Sequence, residues 1–126
     1  MTRKTVSQLL AQARKRLRRL APLEAQAAQA RGALIVDTRG SDDRRSEGVI
    51  PGSIHVPLSV LEWRADPACE THDPHFDGLH RQIIVVCNDG YSSSLAAARL
   101  QQLGYANATD LDGGFRAWKA AGLPMT

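Results

Sequence analysis

The sequence is poor in cysteine and in aromatic residues, and it contains no long apolar run. Two cysteines, Cys69 and Cys87, stand in a chain of 126 residues, too few for the disulfide framework of a small secreted protein. No stretch approaches the roughly 18 to 20 apolar residues of a membrane span. The N-terminus lacks the apolar core of a secretory signal. These absences predict a soluble protein of a reducing compartment, and we expect a cytoplasmic location.

Acidic residues are missing from the first 20 positions. That segment holds seven Lys and Arg residues and no Asp or Glu, whereas residues 21–126 hold nine basic and thirteen acidic residues. The net charge of +3 therefore originates in the N-terminal segment. We divide the chain into a basic, amphipathic N-terminal helical extension, residues 1–20, and one domain over residues 21–126.

The apolar residues of the extension recur at steps of three and four, which predicts a helix with the basic residues on its other face. These residues are Val6, Leu9, Leu10, Ala13, Leu17 and Leu20. Such a helix can dock on its own domain, or it can bind nucleic acid, anionic lipid or an acidic protein partner. We favour docking, because the segment has no aromatic residue to stack on bases or to anchor at a membrane interface.

Short apolar runs alternate with helical patterns along the rest of the chain. Strands are expected at 33–37, 54–58, 82–87 and 108–111, and helices at 22–31, 59–66, 92–104 and 114–122, with one helical turn at 42–47. Ser59, with Glu62 three residues on, is expected to cap the helix at 59–66. Residues 66–80 read as a loop. This alternation predicts an α/β fold, a parallel sheet with helices on both faces.

Cys87 lies directly after an expected strand and shortly before an expected helix. Ligands of open parallel sheets bind beyond the carboxyl ends of the strands. The intervening loop must turn sharply, and Gly90 tolerates the positive φ that such a turn needs. Backbone N–H groups of the loop, with the positive end of the next helix, predict an anion cradle that favours a nucleophilic thiolate. The alternative, a cysteine that serves only as a small buried hydrophobe, is expected inside a strand or helix instead.

Several motifs around this loop resemble the rhodanese (sulfurtransferase) family. The resemblance covers about residues 22–124 and rests on the order and spacing of Asp37-Thr38-Arg39, GVIPGS at 48–53, the cysteine loop, Gly113-Gly114-Phe115, Trp118 and Pro124. It implies a single rhodanese-like domain in which Cys87 is catalytic and cycles through a persulfide. A small-molecule sulfur donor and a thiol acceptor are the implied partners.

The loop departs from the family in its charge. The usual loop reads Cys-Arg-x-Gly-x-Arg-Ser/Thr, but Asn88 and Ser92 stand where the two arginines would be. Arginine contacts to oxyanions are strong, so we expect poor turnover of thiosulfate and better turnover of mercaptopyruvate or a low-molecular-weight persulfide. Backbone N–H groups and three hydroxyls would replace the arginines. The expected substrate-binding residues are Asn88, Asp89, Gly90, Tyr91, Ser92 and Ser93.

Two other functions compete with sulfur transfer. Cys-dependent phosphatases and arsenate reductases, which the family also resembles, use Cys-x5-Arg, and Ser93 stands where that arginine would be; phosphatase activity is therefore not expected. A non-catalytic binding or regulatory module that senses redox state or sulfide stays open. The missing arginines favour this alternative, whereas Cys87 and Gly90 oppose it.

The second cysteine, the histidines and Arg39 are not expected to form a further catalytic or metal site. Cys69, His72, His75 and His80 match no usual zinc spacing, and no nucleotide-binding pattern occurs, so no metal and no cofactor is expected. A role for Cys69 as a resolving thiol for Cys87 stays open. A disulfide between the two cysteines requires Cα atoms within about 7 Å, and the sequence alone does not establish that distance. Arg39 is expected to be structural and to pair with Glu47.

Overall fold

The computed structural model describes residues 2–126 as a four-stranded parallel sheet with helices on both faces. The helices are α1 (Val6–Lys15), α2 (Pro22–Ala30), α3 (Ser41–Glu47), α4 (Leu61–Ala65), α5 (Ser92–Gln102) and α6 (Gly114–Ala120), and a 3₁₀ turn spans Leu58–Val60. The strands are β1 (Leu34–Asp37), β2 (Ile54–His55), β3 (Ile83–Val86) and β4 (Ala108–Asp110). The predicted fold class is confirmed. Among the described residues, every helix is too short or too polar to cross a lipid bilayer.

The strands form because their apolar residues can be buried on both faces of the sheet. Side chains alternate between the two faces along a strand, and the two central strands are buried at every position. Ile83 and Val85 pack on one side with residues of α4 and α5, whereas Ile84 and Val86 pack on the other with residues of α2 and α6. Two apolar layers therefore enclose one parallel sheet, as expected for a continuous apolar run.

The strand order places a crevice at the carboxyl ends of the central strands. The order across the sheet is β2-β1-β3-β4, and Asp37 at the end of β1 is in register with Val86 at the end of β3. The chain leaves β1 toward β2 on one side and later continues through β3 to β4 on the other. Ligands of open α/β sheets bind at this kind of reversal.

The N-terminal helix is shorter than its apolar periodicity predicts. Helix α1 ends at Lys15, and Leu20 forms a parallel bridge with Leu111 beside β4. The Leu20 N–H donates to Asp110 O at 3.1 Å, and the Asp112 N–H donates to Leu20 O at 2.8 Å. Backbone pairing at the sheet edge thus keeps this part of the chain extended, although the apolar spacing continues.

The apolar stripe of the extension is only partly buried. Ala13 and Leu20 are buried, whereas Val6 and Leu9 are exposed. The prediction that all basic residues lie opposite the stripe is wrong, because Arg19 is mostly buried against the domain.

The helix expected at 59–66 begins later and without the predicted cap. A 3₁₀ turn occupies Leu58–Val60, and α4 starts at Leu61 with Val60 at the N-cap and no side-chain hydrogen bond there. The prediction that Ser59 caps this helix is therefore wrong. Pro57 precedes the turn, and its fixed φ favours a tight turn at this point.

Candidate active site around Cys87

Cys87 lies in a cleft beyond the carboxyl ends of β1 and β3. The cleft has a volume of about 360 Å³. Its lining comes from the segment after β1 and the loop after β3, and consists of Thr38, Arg39, Gly40, Asp43, Cys87, Asn88, Asp89, Tyr91 and Ser92. The thiol is therefore placed at the reversal of strand order that the topology creates. A larger open groove, about 660 Å³, lies between α1 and α5, but no cysteine lines it.

The loop after Cys87 folds back over its sulfur. Gly90 has a φ of +85°, and its N–H donates to Cys87 Sγ at 3.2 Å. A Cβ at position 90 would lie 2.8 Å from the Gly113 nitrogen. Glycine is therefore required both by backbone conformation and by the contact with the neighbouring turn.

The start of α6 holds the backbone of Cys87 from behind. The N–H of Phe115 donates to Cys87 O at 2.8 Å, and the N–H of Arg116 donates to Asn88 O at 3.2 Å. Free N–H groups at a helix N-terminus need acceptors, and here the cysteine loop supplies them. The direction of the Cys87 side chain is thus coupled to the position of α6.

Opposing effects act on the pKa of the Cys87 thiol. Burial acts to raise it, but hydrogen-bonding groups close to the sulfur outweigh burial, namely the hydroxyls of Ser93 and Ser92 and the N–H groups of Ser93 and Gly90. The pKa of Cys87 therefore lies below its ordinary value. A lowered pKa increases the thiolate fraction at neutral pH, and the thiolate is the nucleophilic form.

A buried carboxylate that the sequence did not reveal lies beneath the loop. Asp110 ends β4 and is 0% exposed, and its Oδ2 accepts hydrogen bonds from Ser93 Oγ and Ser94 Oγ, each at 2.7 Å. Ser93 has one hydroxyl proton, so Asp110 competes for it with the sulfur of Cys87. Ligands of parallel sheets bind beyond the carboxyl ends of the strands, which is why Cys87 was selected from the sequence. Asp110 also lies at the carboxyl end of a strand, so the same rule could have identified it.

The predicted substrate-binding residues do not all face the cleft. Asn88, Asp89, Tyr91 and Ser92 line it, and Gly90 contributes its N–H toward the sulfur. Ser93 is fully buried beneath the loop. The structure therefore does not bring the Ser93 hydroxyl to the open cleft, because Asp110 accepts its hydrogen bond from the opposite side.

The two residues after Cys87 are held by charged neighbours. Asn88 Nδ2 donates to Asp43 Oδ2 at 3.1 Å, and its Oδ1 is buried with no hydrogen-bond partner among residues 2–126. Arg116 Nη1 donates to Asp89 Oδ2 at 2.8 Å. The negative charge of Asp89 is thus partly offset by α6, whereas Asp43 keeps a carboxylate at the rim of the cleft.

Arg39 does not pair with Glu47, so that expectation is wrong. Arg39 Nη2 donates to Asp37 Oδ2 and to Gly48 O, both at 2.8 Å, whereas Glu47 pairs with Arg116. The Arg39 guanidinium carbon also lies 3.8 Å from the ring centroid of Phe115. Asp37 is nearer in sequence and buried, and a buried charge requires a partner, which explains the pairing.

Replacing Asp37 by Asn should lower the free energy of unfolding by about 3–5 kcal/mol, because Arg39 would remain buried with less compensation. Burial acts to raise the pKa of Asp37, but hydrogen bonds and charge from Arg39, with the charge of Arg44, outweigh it and lower the pKa below 3.8. The pair therefore stabilises the fold above pH 4, and this contribution is lost as the pH falls through the folded-state pKa. Urea unfolding at pH 7 and between pH 5 and 3 measures both effects.

Asp42→Asn provides the matched control for this substitution. Its carboxylate is almost fully exposed and pairs with Arg45 across one helical turn, so the free energy of unfolding should change by less than about 1 kcal/mol. Equal destabilisation by the two substitutions would contradict a structural role for the buried pair.

Cys69 lies at the far end of α5 from Cys87. Cys69 shares a small surface cavity with Trp63 and with Leu103, which directly follows α5, whereas Cys87 precedes the start of that helix. A helix of eleven residues spans roughly 16 Å. Both cysteines are free, and this separation exceeds the Cα distance of about 7 Å that a disulfide allows. Cys69 is thus not placed to act as a resolving thiol.

The histidines of the 66–80 loop make local contacts. His72 Nδ1 is 2.8 Å from Cys69 O, and His75 Nδ1 is 2.7 Å from Asp73 Oδ1. Over the described residues, no group of three Cys, His, Asp or Glu side chains is arranged to hold a metal ion.

Comparison with known proteins identifies the class to which this fold and cleft belong. The model of the rhodanese-like domain matches residues 21–121, and the chain belongs to this family. Over 104 residues the chain is 34% identical to the thiosulfate sulfurtransferase GlpE of Pseudomonas savastanoi, which covers 82% of this chain and 88% of that protein. It is 29% identical over 92 residues to a sulfurtransferase of Allochromatium vinosum, with 73% and 77% covered.

Solved structures show the same fold. A protein of unknown function from Rhodopseudomonas palustris, described as a possible tyrosine phosphatase, superposes with a TM-score of 0.90 at 29% identity. That match covers 100% of this chain, including the N-terminal extension, and 97% of the other. The human single-domain sulfurtransferase TSTD1 gives a TM-score of 0.68 at 23% identity, with 81% and 95% covered.

Proposed function

We propose that the protein is a sulfurtransferase in which Cys87 accepts a sulfur atom as a persulfide and passes it to a thiol or another nucleophilic acceptor. The observation that carries this proposal is the Cys87 thiol in its cleft, folded over by the loop and within hydrogen-bonding distance of the Gly90 N–H. The relatives named as sulfurtransferases support the same reaction class.

The chemistry is a double displacement at sulfur. With a persulfide donor R–S–S⁻, the Cys87 thiolate attacks the outer sulfur, a new S–S bond forms, and R–S⁻ leaves with the electron pair of the broken bond. An acceptor thiolate then attacks the outer sulfur on Cys87 and restores the Cys87 thiolate. The Gly90 N–H and the other N–H groups of the loop would stabilise the anionic sulfur in both steps.

The charges of the cleft favour a neutral or singly charged donor over thiosulfate. Asp43 and Asp89 contribute carboxylates to the lining, and the charge of Arg39 is engaged by Asp37. A dianion would meet these carboxylates without the two loop arginines that are usual in the family. We therefore propose a low-molecular-weight persulfide or mercaptopyruvate as the donor class, although several relatives are named for thiosulfate.

The description of the Rhodopseudomonas palustris protein raises phosphatase activity as an alternative, and the loop argues against it here. A Cys-x5-Arg phosphatase loop places an arginine on the phosphate. Ser93 takes that position in this chain and donates its hydroxyl to Asp110. Carboxylates at the rim would also oppose a phosphate dianion.

We also propose that the protein acts in a reducing compartment such as the cytoplasm. The reaction requires Cys87 as a free thiolate, and Cys69 is not placed to form a disulfide with it. An oxidising compartment would convert an activated thiolate into a disulfide or a higher oxide.

Mass spectrometry after exposure to a panel of sulfur donors tests the proposed function. We expect a gain of about 32 Da, one sulfur atom, mapped to the peptide that contains Cys87 and reversed by an acceptor thiol. Cys87→Ser should abolish the gain, and Cys69→Ser should preserve it. If no donor loads Cys87 in the folded protein, the domain is a non-catalytic binding or regulatory module instead.

A further inference from the structure

Two arginines of the N-terminal extension converge on one carbonyl of the cysteine loop. Arg14 Nη2 and Arg19 Nη2 each donate a hydrogen bond to Gly90 O at 2.8 Å. Both side chains come from outside the loop, 76 and 71 positions away in sequence. A single carbonyl therefore accepts two charge-assisted hydrogen bonds, which are stronger than bonds between neutral groups.

The same arginines are anchored to the buried residues beneath the loop. Arg19 Nε donates to Asp110 Oδ1 at 2.9 Å, and Arg19 Nη2 lies 3.2 Å from Asp110 Oδ2. Arg14 Nε donates to Ser94 Oγ at 3.1 Å, and Ser94 in turn donates to Asp110. One hydrogen-bonded network thus joins the extension, the end of β4 and the start of α5 directly below Cys87.

The carbonyl that these arginines hold belongs to the residue whose N–H reaches the sulfur. Gly90 has no Cβ and adopts a positive φ, so its own sterics leave its backbone dihedrals weakly restricted. The carbonyl lies in the peptide unit after Gly90 and the N–H in the unit before it, so holding the carbonyl restricts the Cα and ψ of Gly90 and limits how far its N–H can turn away from Cys87 Sγ. The Arg19 guanidinium is also close enough to attract a thiolate at Cys87.

We propose that Arg14 and Arg19 are positioning residues for Cys87: two guanidinium groups that hold the Gly90 carbonyl from outside the loop and supply positive charge beneath it. The N-terminal extension is then part of the active-site scaffold, although it precedes the region that the family model matches. The arginines missing at 88 and 92 would contact substrate, whereas these two are absent from the lining of the cleft and act on the loop itself. The inference rests on the proposed role of Cys87 for its functional meaning.

Other charged groups around the loop bear on the same thiolate and are kept constant in the test. They are Asp37, Arg39, Asp43 and Arg44 on the β1 side, Asp89 within the loop, Asp110 below it, Asp112 beside Arg19 and Arg116 on α6. Only the two arginines of the extension are removed.

The test is the pH profile of Cys87 alkylation by iodoacetamide in a Cys69→Ser background. With Arg14→Gln and Arg19→Gln together, the midpoint should rise by about 0.5 to 1 pH unit, and the alkylation rate at pH 7 should fall roughly 3- to 10-fold. Sulfur loading from an accepted donor should slow by a similar factor. Circular dichroism and thermal unfolding establish that the variant is folded.

Arg16→Gln with Arg18→Gln is the matched control. It removes the same charge from the same extension, but both side chains are exposed, and their carbonyls keep the contacts to Gln101 and Thr109. We expect a midpoint within about 0.2 pH unit of wild type, because exposed charges at this distance are screened. If the midpoint of Cys87 alkylation rose as much in this control as in the Arg14 and Arg19 variant, net charge alone would explain the rise, and the proposal would be overturned.

Arg14→Gln alone covers the case in which the double variant does not fold, since it leaves the Arg19–Asp110 pair intact. It should raise the midpoint and slow alkylation at pH 7 about twofold or more, and a folded variant with the wild-type profile would overturn the proposal. Failure of wild-type Cys87 to take sulfur from any donor would instead overturn the proposed function, because the alkylation profile does not depend on sulfur transfer.

Discussion

Asn88→Arg together with Ser92→Arg should raise kcat/KM for thiosulfate by roughly ten- to a thousandfold. The loop keeps the length and the Gly90 turn of the family pattern, so the missing element is charge toward the cleft. A gain of this size requires about 1.4–4 kcal/mol in total, since about 1.4 kcal/mol corresponds to a tenfold change in rate, and one hydrogen bond from arginine to an oxyanion contributes about 1.5–3 kcal/mol. Steady-state kinetics of wild type and variant with thiosulfate measures the effect.

A singly charged persulfide donor is the control for this substitution, and its turnover should change much less than that of the thiosulfate dianion. Asp43 introduces a further dependence, since it now accepts a hydrogen bond from Asn88 and would pair with an arginine at that position. The Ser92→Arg single variant should therefore gain more than the Asn88→Arg single variant. Efficient use of thiosulfate by the wild type, or no gain in a folded double variant, would mean that loop charge does not determine the choice of donor.

Gly114→Ala should lower the free energy of unfolding by about 2–5 kcal/mol and slow sulfur loading of Cys87 at least about tenfold. Gly114 has a φ of +67°, and a Cβ there would lie 2.5 Å from Asn88 O and 2.6 Å from Cys87 O. The left-handed conformation costs alanine about 1–2 kcal/mol, and the clash adds about 1–3 kcal/mol. Because the clashing atoms are backbone of the cysteine loop, the loop must move.

Gly122→Ala separates the cost of the left-handed backbone conformation from the cost of the steric clash. Gly122 has a φ of +73°, but a Cβ there would meet no heavy atom of residues 2–126 within 4 Å, apart from its own neighbours along the chain. This substitution should cost about 1–2 kcal/mol and leave sulfur loading unchanged. Denaturant unfolding and the rate of the 32 Da gain, about one sulfur atom, are measured for both variants. Equal losses of stability with unchanged loading in Gly114→Ala would contradict the coupling of α6 to Cys87.

Much of the fold and part of the site could be predicted from local sequence. The apolar runs that became β1 and β3 and the turn-forming Gly90 report their structure through their own composition. The position of Cys87 after a strand and before a helix is likewise readable without tertiary information. The chemical role of Cys87 and of the lining residues stays a prediction that the sulfur-loading experiment tests.

Two of the failed expectations involve partners distant in sequence. The periodicity predicts a helix to Leu20, but pairing with Leu111 at the sheet edge keeps that residue extended. The spacing predicts a pair between Arg39 and Glu47, yet Arg116 from α6 binds Glu47. Periodicity and spacing describe what a segment can form alone, and they carry no information about which distant group competes for it.

The sequence by itself determined the layered α/β architecture, because strand and helix periodicities follow from local burial, and it determined the placement of Cys87 at the carboxyl end of β3. Only the tertiary structure decided what holds the cysteine loop in place. Asp110 and Arg19 are 91 positions apart, and Arg14 and Gly90 are 76 apart, so no local pattern links them. Folding brings these charges together beneath Gly90, where burial strengthens each contact.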